Sequence, residues 1–389
     1  MFISNNYKRS HQLQYFILAI LIVIAIVTII IAIYTRSKRV TDPWAHRVND
    51  VGIIHKSADV PSVKFPFKNL YDDKSNKINI ILLSAPFRNK EDDDYYKDWK
   101  KRGLYFCGIS SYREFPQHIS NEFEDKYHER EKHCYLKLVD AWLHCFRDPA
   151  RFLIDCPEYS TPDPTNKPKT HIPNMLMTEA DLKNPDDYKY DPNQKKEYDF
   201  IYVCLKDSDT CPDDGWQASA RNWALAKKCL VIMCRDFKLK GILIGRQNCK
   251  ITEFCNNMMT MTDLLPYHEF QNKLKSAKFI FCPNIQDASP RVLVEAMLYN
   301  MPILVNSDII GGFHNVIPNV TGEFFNSENN VTEPLRKIVT AVNNGGGTYK
   351  PREWYVNNRG RKHSGKALAE FLIKNYPNIN NKTMEYAYV

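Results

Sequence analysis

The chain has 389 residues, 43% of them hydrophobic and 12% aromatic, with 53 Lys and Arg against 45 Asp and Glu for a net charge of +8. That is enough for two ordinary domains with real cores, while a mean hydropathy of −0.46 excludes a multi-span transporter. The charges are interspersed, with no basic tract, zinc-finger spacing or RNP-type aromatic motif, so the positive excess points to a phosphorylated small molecule and away from nucleic acid.

In chain order, a short tail (residues 1–14) leads into the uncharged run Tyr15–Tyr34. At 1.5 Å per residue this run matches a hydrocarbon core of about 30 Å, and it reads as one uncleaved transmembrane helix. Lys8 and Arg9 precede it and Arg36, Lys38 and Arg39 follow, so the positive-inside rule is nearly balanced and both orientations stay open. Sequons at Asn319, Asn330 and Asn381 favour a single-pass protein with its large C-terminal part luminal, a cytosol-facing enzyme being the alternative. Residues 35–76, with Pro43, Pro61 and Pro66, read as a stem.

An N-terminal domain is expected over 77–196. It opens with a strand at Ile78–Leu83, a charged solvated loop at Glu91–Lys101 and a strand at Leu104–Cys107. A helix over Glu129–Phe146, with His144 packed on it, and a strand at Arg151–Asp155 follow. Prolines then cluster from Pro157 to Pro192, marking either an active-site loop region or an interdomain crossing with the domain boundary near its end, before the alternation resumes over 197–348. The expected order there is strand Tyr198–Leu205, helix Trp216–Met233, strand Gly241–Gly245, helix Tyr267–Ala277, strand Lys278–Cys282, helix Pro290–Asn300 and strand Pro302–Asn306. Repeated βα units with short connections predict a parallel sheet whose ligands sit at the carboxyl ends of its strands. An amphipathic helix around Gly365–Lys374 closes the chain within a terminal segment, 349–389, expected to pack back on the first domain. Eleven cysteines show no C-x-x-C and no paired Cys/His spacing, so no structural metal is expected.

The stretch Asp287-Ala288-Ser289-Pro290-Arg291-Val292-Leu293-Val294-Glu295 carries the chemistry. Ser289 is placed to cap a helix and Pro290 to occupy its first position. A helix start at a strand's carboxyl end suits a diphosphate, and Arg291 adds a full charge. Asp287 and Glu295 bracket that anion site with two acceptors for hydroxyl groups, as a nucleotide sugar requires.

Asp287 and Glu295 also fall at the ends of a segment that resembles the E-x7-E motif of the retaining group-1 (family-4-like) GT-B glycosyltransferases. Glu295-Ala296-Met297, Met301-Pro302-Ile303-Leu304-Val305, Ile310-Gly311-Gly312 and Asn319–Phe325 resemble the sequel of that motif, and Leu264–Glu269 with Leu274–Pro283 resemble its upstream run. The resemblance covers about 150 residues of the C-terminal half. It implies an α/β GT-B fold, two Rossmann-like domains facing across a cleft, preceded here by the transmembrane helix. It implies transfer of a sugar from a nucleotide-sugar donor to a glycan, protein or lipid acceptor, with no metal or other cofactor required. Asp287 and Glu295 would be the catalytic pair, Asp287 on the sugar hydroxyls and Glu295 on the ribose. Ser289, Arg291, Val292, Lys206, Arg246, Leu265 and Gly312 would bind the donor. Three departures stand out: aspartate replaces the first glutamate, Pro290 replaces a glycine, and Asp214 stands where the family has a lysine. The missing charge falls to Lys206, Arg221, Arg246 or Arg291, with Arg291 and Lys206 preferred.

The acceptor side is expected from the loops Ser84–Arg88 and Gly108–Pro116. Two alternatives stand beside this reading. Asp207-Ser208-Asp209 directly follows a strand and resembles the metal-binding D-x-D of GT-A transferases. The chain could instead be a non-catalytic, membrane-tethered carbohydrate-binding protein.

Overall fold

The computed structural model describes residues 60–111, 115–116, 134–153, 172–345 and 347–389. The apolar run 15–34, most of the expected stem and His118, His128 and His133 lie outside these residues. Among the described residues no helix is long and apolar enough to cross a membrane.

The first half contains β1 (Phe67–Asp72), β2 (Lys77–Leu83), α1 (Lys90–Lys101), β3 (Tyr105–Ile109), α2 (Tyr135–Leu138), β4 (Ala141–His144), α3 (Pro149–Phe152) and β5 (Asn174–Leu176). The second holds β6 (Tyr198–Val203), α4 (Trp216–Ala220), α5 (Trp223–Arg235), β7 (Gly241–Ile244), α6 (Glu253–Met258), β8 (Met259–Thr262), α7 (Tyr267–Lys275), β9 (Ala277–Cys282), α8 (Arg291–Leu298), β10 (Ile303–Asn306), β11 (Gly322–Phe325) and α9 (Thr332–Asn343). The tail adds α10 (Pro351–Asn358), α11 (Gly360–Asn375) and β12 (Ala387–Tyr388).

The strands form two sheets, β12-β1-β2-β3-β4-β5 and β11-β10-β9-β6-β7-β8. The second is parallel throughout, and the first is parallel from β2 to β5 with β1 and β12 antiparallel at its edge. These two α/β sheets fit the expected pair of Rossmann-like halves.

Alternation along the strands explains why each sheet is covered on both faces. Phe200, Tyr202, Phe279 and Phe281 point to one side of the second sheet, against Trp223 and Leu230 of α5. Ile201, Ile242, Ile280 and Val305 point to the other, against Phe270 and Leu274 of α7 and Leu293 and Met297 of α8. Ile201 and Ile280 are register partners across β6 and β9. Complete burial of such a side chain stabilises by about 1.5–3 kcal/mol. On the first sheet, Ile81, Leu83, Phe106 and Trp142 meet Tyr96 and Trp99 of α1. The opposite face, with Ile80, Leu82, Cys107 and Leu143, is covered by Leu368, Ala369, Leu372 and Tyr376. The last helix of the chain therefore packs on the first sheet, and Tyr376 OH donates to the Phe106 carbonyl at 2.9 Å.

Several expectations fail locally. Residues 67–72, assigned to the stem, form β1, with Phe67 and Leu70 buried. The charged stretch Glu91–Lys101 is helix, not loop: Tyr96 and Trp99 seat it on the sheet and Asn89 Oδ1 accepts the Asp92 N–H. Lys90–Asp94 and Lys97–Asp93 pairs occupy its outer face. Within the expected helix Glu129–Phe146, residues 141–144 form a buried strand, because a run apolar on both sides suits a central strand as well as a helix. The expected strand Arg151–Asp155 instead holds the end of α3, its residues 154 and 155 lying outside the described ones. The expected helix Trp216–Met233 is broken at Asn222, which adopts the left-handed conformation (φ 51°, ψ 51°).

Candidate functional site

The second sheet runs outward from β6 to β7 and β8, then returns to the other side of β6 with β9, β10 and β11. Adjacent connections leave in opposite directions at the carboxyl ends of β6 and β9, and that divergence opens the ligand crevice of such sheets. Residues 204–222 leave β6 there and residues 283–291 leave β9.

The break after α4 builds the site. It frees the Ala220 carbonyl, which accepts the N–H groups of Ile285 at 3.0 Å and Gln286 at 3.2 Å, so the loop after β9 is pinned to the end of α4. Arg221, next in the chain, forms an ion pair with Asp287, and Asn284 Nδ2 donates to the same carboxylate oxygen at 3.1 Å. Burial opposes the Arg221 charge, but Asp287 outweighs it and raises the guanidinium pKa. Both side chains keep limited exposure, 21% for Arg221 and 16% for Asp287, so the pair lines the crevice without being sealed in.

The glycine turn closes on this loop. Gly311 N donates to the Asp287 carbonyl at 3.0 Å, and a Cβ on Gly311 would lie 1.9 Å from the Ala288 carbonyl oxygen. Gly312 (φ 75°) sits against Pro290 and Leu293. Ala288 and Ile310 meanwhile pack into the core of the first sheet, which brings the motif loop against the other half of the molecule.

The remaining expected residues are dispersed. Ser289 does not cap α8. Pro290 holds the cap position, and Ser289 Oγ instead accepts the Ala180 N–H at 3.2 Å. Val292 and Leu265 pack against the apolar cluster beneath the sheet. Glu295 is buried: Lys183 Nζ lies at 3.2 Å and Tyr188 OH at 3.4 Å from Oε1, and Gln271 Nε2 donates to Oε2 at 3.0 Å. Among the cations, Lys206 pairs with Asp209 and Asp263 at 2.9 Å each, which raises its pKa. Arg246 is fully buried, stacked 4.5 Å above the Trp223 ring and donating to Cys204 Sγ at 2.9 Å. No described carboxylate forms an ion pair with Arg291.

Asp207 caps α4, accepting the N–H groups of Gln217 at 2.7 Å and Ala218 at 2.9 Å, and Asp209 is held by Lys206. The first carboxylate of the D-x-D segment thus fills the helix start that follows β6. In the first half, Ser84 donates to the Pro66 carbonyl and Ser110 to the Phe115 carbonyl, while Arg88 chelates Asp92. These loop residues, expected on the acceptor side, hold the loops themselves in shape.

Residues 178–188, which cross between the halves, carry groups that sequence reasoning missed. Thr178 and Asp181 form a reciprocal capping box. Asp181 also takes His314 Nε2 at 2.8 Å and Asn315 Nδ2 at 3.1 Å, tying the segment to the glycine turn. Burial alone would raise the Asp181 carboxyl, but His314, Thr178 and Asn315 hold it down at about 2. The T-x-x-D spacing was the one local signal available.

On β4, burial pushes the His144 imidazole down to about 4, and the nearby His314 adds to this. A base depressed from 6.5 contributes stability that is fully present above that value and lost as pH falls toward 4. Between pH 7 and 4 we expect a loss on the order of 3 kcal/mol from this group. Denaturant midpoints read across that range should fall less steeply in His144→Gln, and equal slopes in the two proteins would refute the assignment. Asp181 has the opposite sense: its stabilisation is present above its unfolded pKa of 3.8 and fails as pH drops through about 2.

No protein-family model and no curated protein matches the chain. Among solved structures it is similar to TarM, with 11% identity and a TM-score of 0.44 over 66% of this chain and 48% of that one. It is also similar to the pneumococcal O-GlcNAc transferase GtfA in complex with UDP and GlcNAc, with 11% identity and a TM-score of 0.46 over 69% and 52% of the two chains. For Anabaena HepE in complex with UDP and glucose the values are 10%, 0.47, 72% and 74%. The chain spans about half the length of TarM and GtfA.

Proposed function

We propose that this chain is a retaining GT-B glycosyltransferase, tethered to a membrane through residues 15–34, that moves a hexose from a nucleotide-sugar donor to a glycan, protein or lipid acceptor. The observation that carries this reading is the clamped Asp287. It stands at the switch point of a parallel sheet, fixed by Arg221 and Asn284, at the head of a helix whose first residue is Arg291, a cation without an ion-pair partner among the described carboxylates. In this scheme Asp287 accepts hydroxyl groups of the donor sugar. Arg291 and the helix start hold the diphosphate and stabilise the charge that grows as it departs. Glu295 works from beneath, and a ribose reaches it by displacing Lys183. The motif resemblance assigns the same positions to the donor.

The D-x-D alternative is disfavoured because Asp207 is committed to two backbone N–H groups. Metal-independent transfer is therefore part of the proposal. The Cys211–Cys249 disulfide, with Cys134 also disulfide-bonded, favours an oxidising compartment and hence a luminal orientation.

The full-length protein in detergent, offered a panel of nucleotide sugars and read by released nucleoside diphosphate, should turn over one donor class in the presence of a chelator. Turnover that chelation abolishes and Mn²⁺ restores would reject the GT-B mechanism. Absence of both turnover and binding for every donor would reject the transferase.

A further inference from the structure

One charge in the site belongs to neither the motif nor the resemblance. Glu179 is the first residue of the short turn 179–182, which lies against α8, and the N–H of the next residue, Ala180, is bound by Ser289 just before that helix. Its Oε2 pairs with Lys68 of β1 at 2.5 Å, with only 11% of the side chain exposed. Oε1 is buried without a hydrogen-bond partner at standard geometry, although the Ser111 hydroxyl is close enough to favour the charged form. Burial would raise this carboxyl, but Lys68 first and Arg291 second hold it at about 2, so it stays ionised at any physiological pH. Coulomb interaction is mutual: if Arg291 stabilises the Glu179 charge, Glu179 lowers the potential that Arg291 offers to an anion.

Resting on the donor-site reading above, we propose that Glu179 is a specificity-determining residue that competes with the donor's diphosphate for Arg291. A nucleotide sugar carries one negative charge fewer at its terminal phosphate than the nucleoside diphosphate that transfer releases. A fixed carboxylate beside Arg291 therefore weakens the product more than the donor and favours product release. Lys68 limits this effect without cancelling it, because Lys68 holds Oε2 while Oε1 stays without a hydrogen-bond partner.

The test uses the full-length protein in detergent and inorganic pyrophosphate as the probe, with binding read by calorimetry at fixed ionic strength. A unit charge removed at several ångströms from a partly desolvated anion is worth about a tenfold change in affinity. Glu179→Gln is expected to bind pyrophosphate about tenfold more tightly than the unmodified protein. Glu179→Asp, which keeps the charge, should stay within about threefold, and Arg291→Met should lose binding. Glu179→Ala, with the same expected sign as the glutamine variant, serves if Glu179→Gln melts early. Binding seen only in the charge-removed variants also supports the proposal. If binding needs Arg291 but is unchanged or weaker without the Glu179 charge, the competition is refuted while the donor site survives. If no variant binds pyrophosphate, or Arg291→Met binds as well as the unmodified protein, the donor-site reading falls and this inference with it.

Discussion

Replacing Asp287 by asparagine should lower sugar transfer by about 10²-fold or more while moving the melting temperature by only a few degrees. Asparagine keeps the size of the side chain and can still accept from Arg221 and Asn284, so the loop after β9 remains pinned through Ile285 and Gln286. What disappears is the negative charge, which pairs with the Arg221 guanidinium and which the proposed scheme assigns to a sugar hydroxyl. Arg221→Met should reproduce most of the loss by releasing Asp287, and the double variant should be little worse than the poorer single one, because residues acting as one unit are not additive. Full activity in Asp287→Asn would show that the carboxylate is structural. Losses that simply multiply in the double variant would show that the two side chains act separately.

Gly311→Ala should be strongly destabilising for a single added methyl, costing about 3 kcal/mol or more. The new Cβ would fall 1.9 Å from the Ala288 carbonyl oxygen and 2.5 Å from its carbon, both backbone atoms with no rotamer to escape into. Relief requires moving the 287–290 loop, which breaks the bond from Gly311 N to the Asp287 carbonyl and withdraws Ala288 from the core of the first sheet. Gly103→Ala is the matched control. It has positive φ (82°) but nothing within 4 Å of its would-be Cβ, so only the conformational cost of about 1 kcal/mol is expected. Equal urea midpoints for the two variants would refute the close-approach account.

The strands of the second half were legible because each is a short apolar run bounded by polar or turn residues, as in Tyr198–Val203 and Ala277–Cys282. The helix after β9 was legible from Pro290 and the apolar spacing that follows. The first half was less so. Residues 90–101 look like a solvated loop until Tyr96 and Trp99 are seen to face a sheet, and residues 141–144 are apolar enough for either helix or strand.

The candidate site divides in the same way. Sequence by itself determined that Asp287, Arg291 and Glu295 lie on one loop and helix at the end of a parallel strand, because the apolar periodicity of strand and helix acts over a few residues. Only the tertiary structure decided which charges are free. Asp287 meets Arg221 from 66 positions away, Glu295 is enclosed by Lys183 from 112 positions away, and Lys206 is neutralised by Asp209 and Asp263. It also brought Glu179 and Asp181 of the crossing segment to the motif loop and the glycine turn, where the proline cluster by itself left open an active-site loop or an interdomain crossing. The physical reason is range: helix and strand formation depend on near neighbours, whereas the worth of a buried charge depends on the partners that folding brings to it.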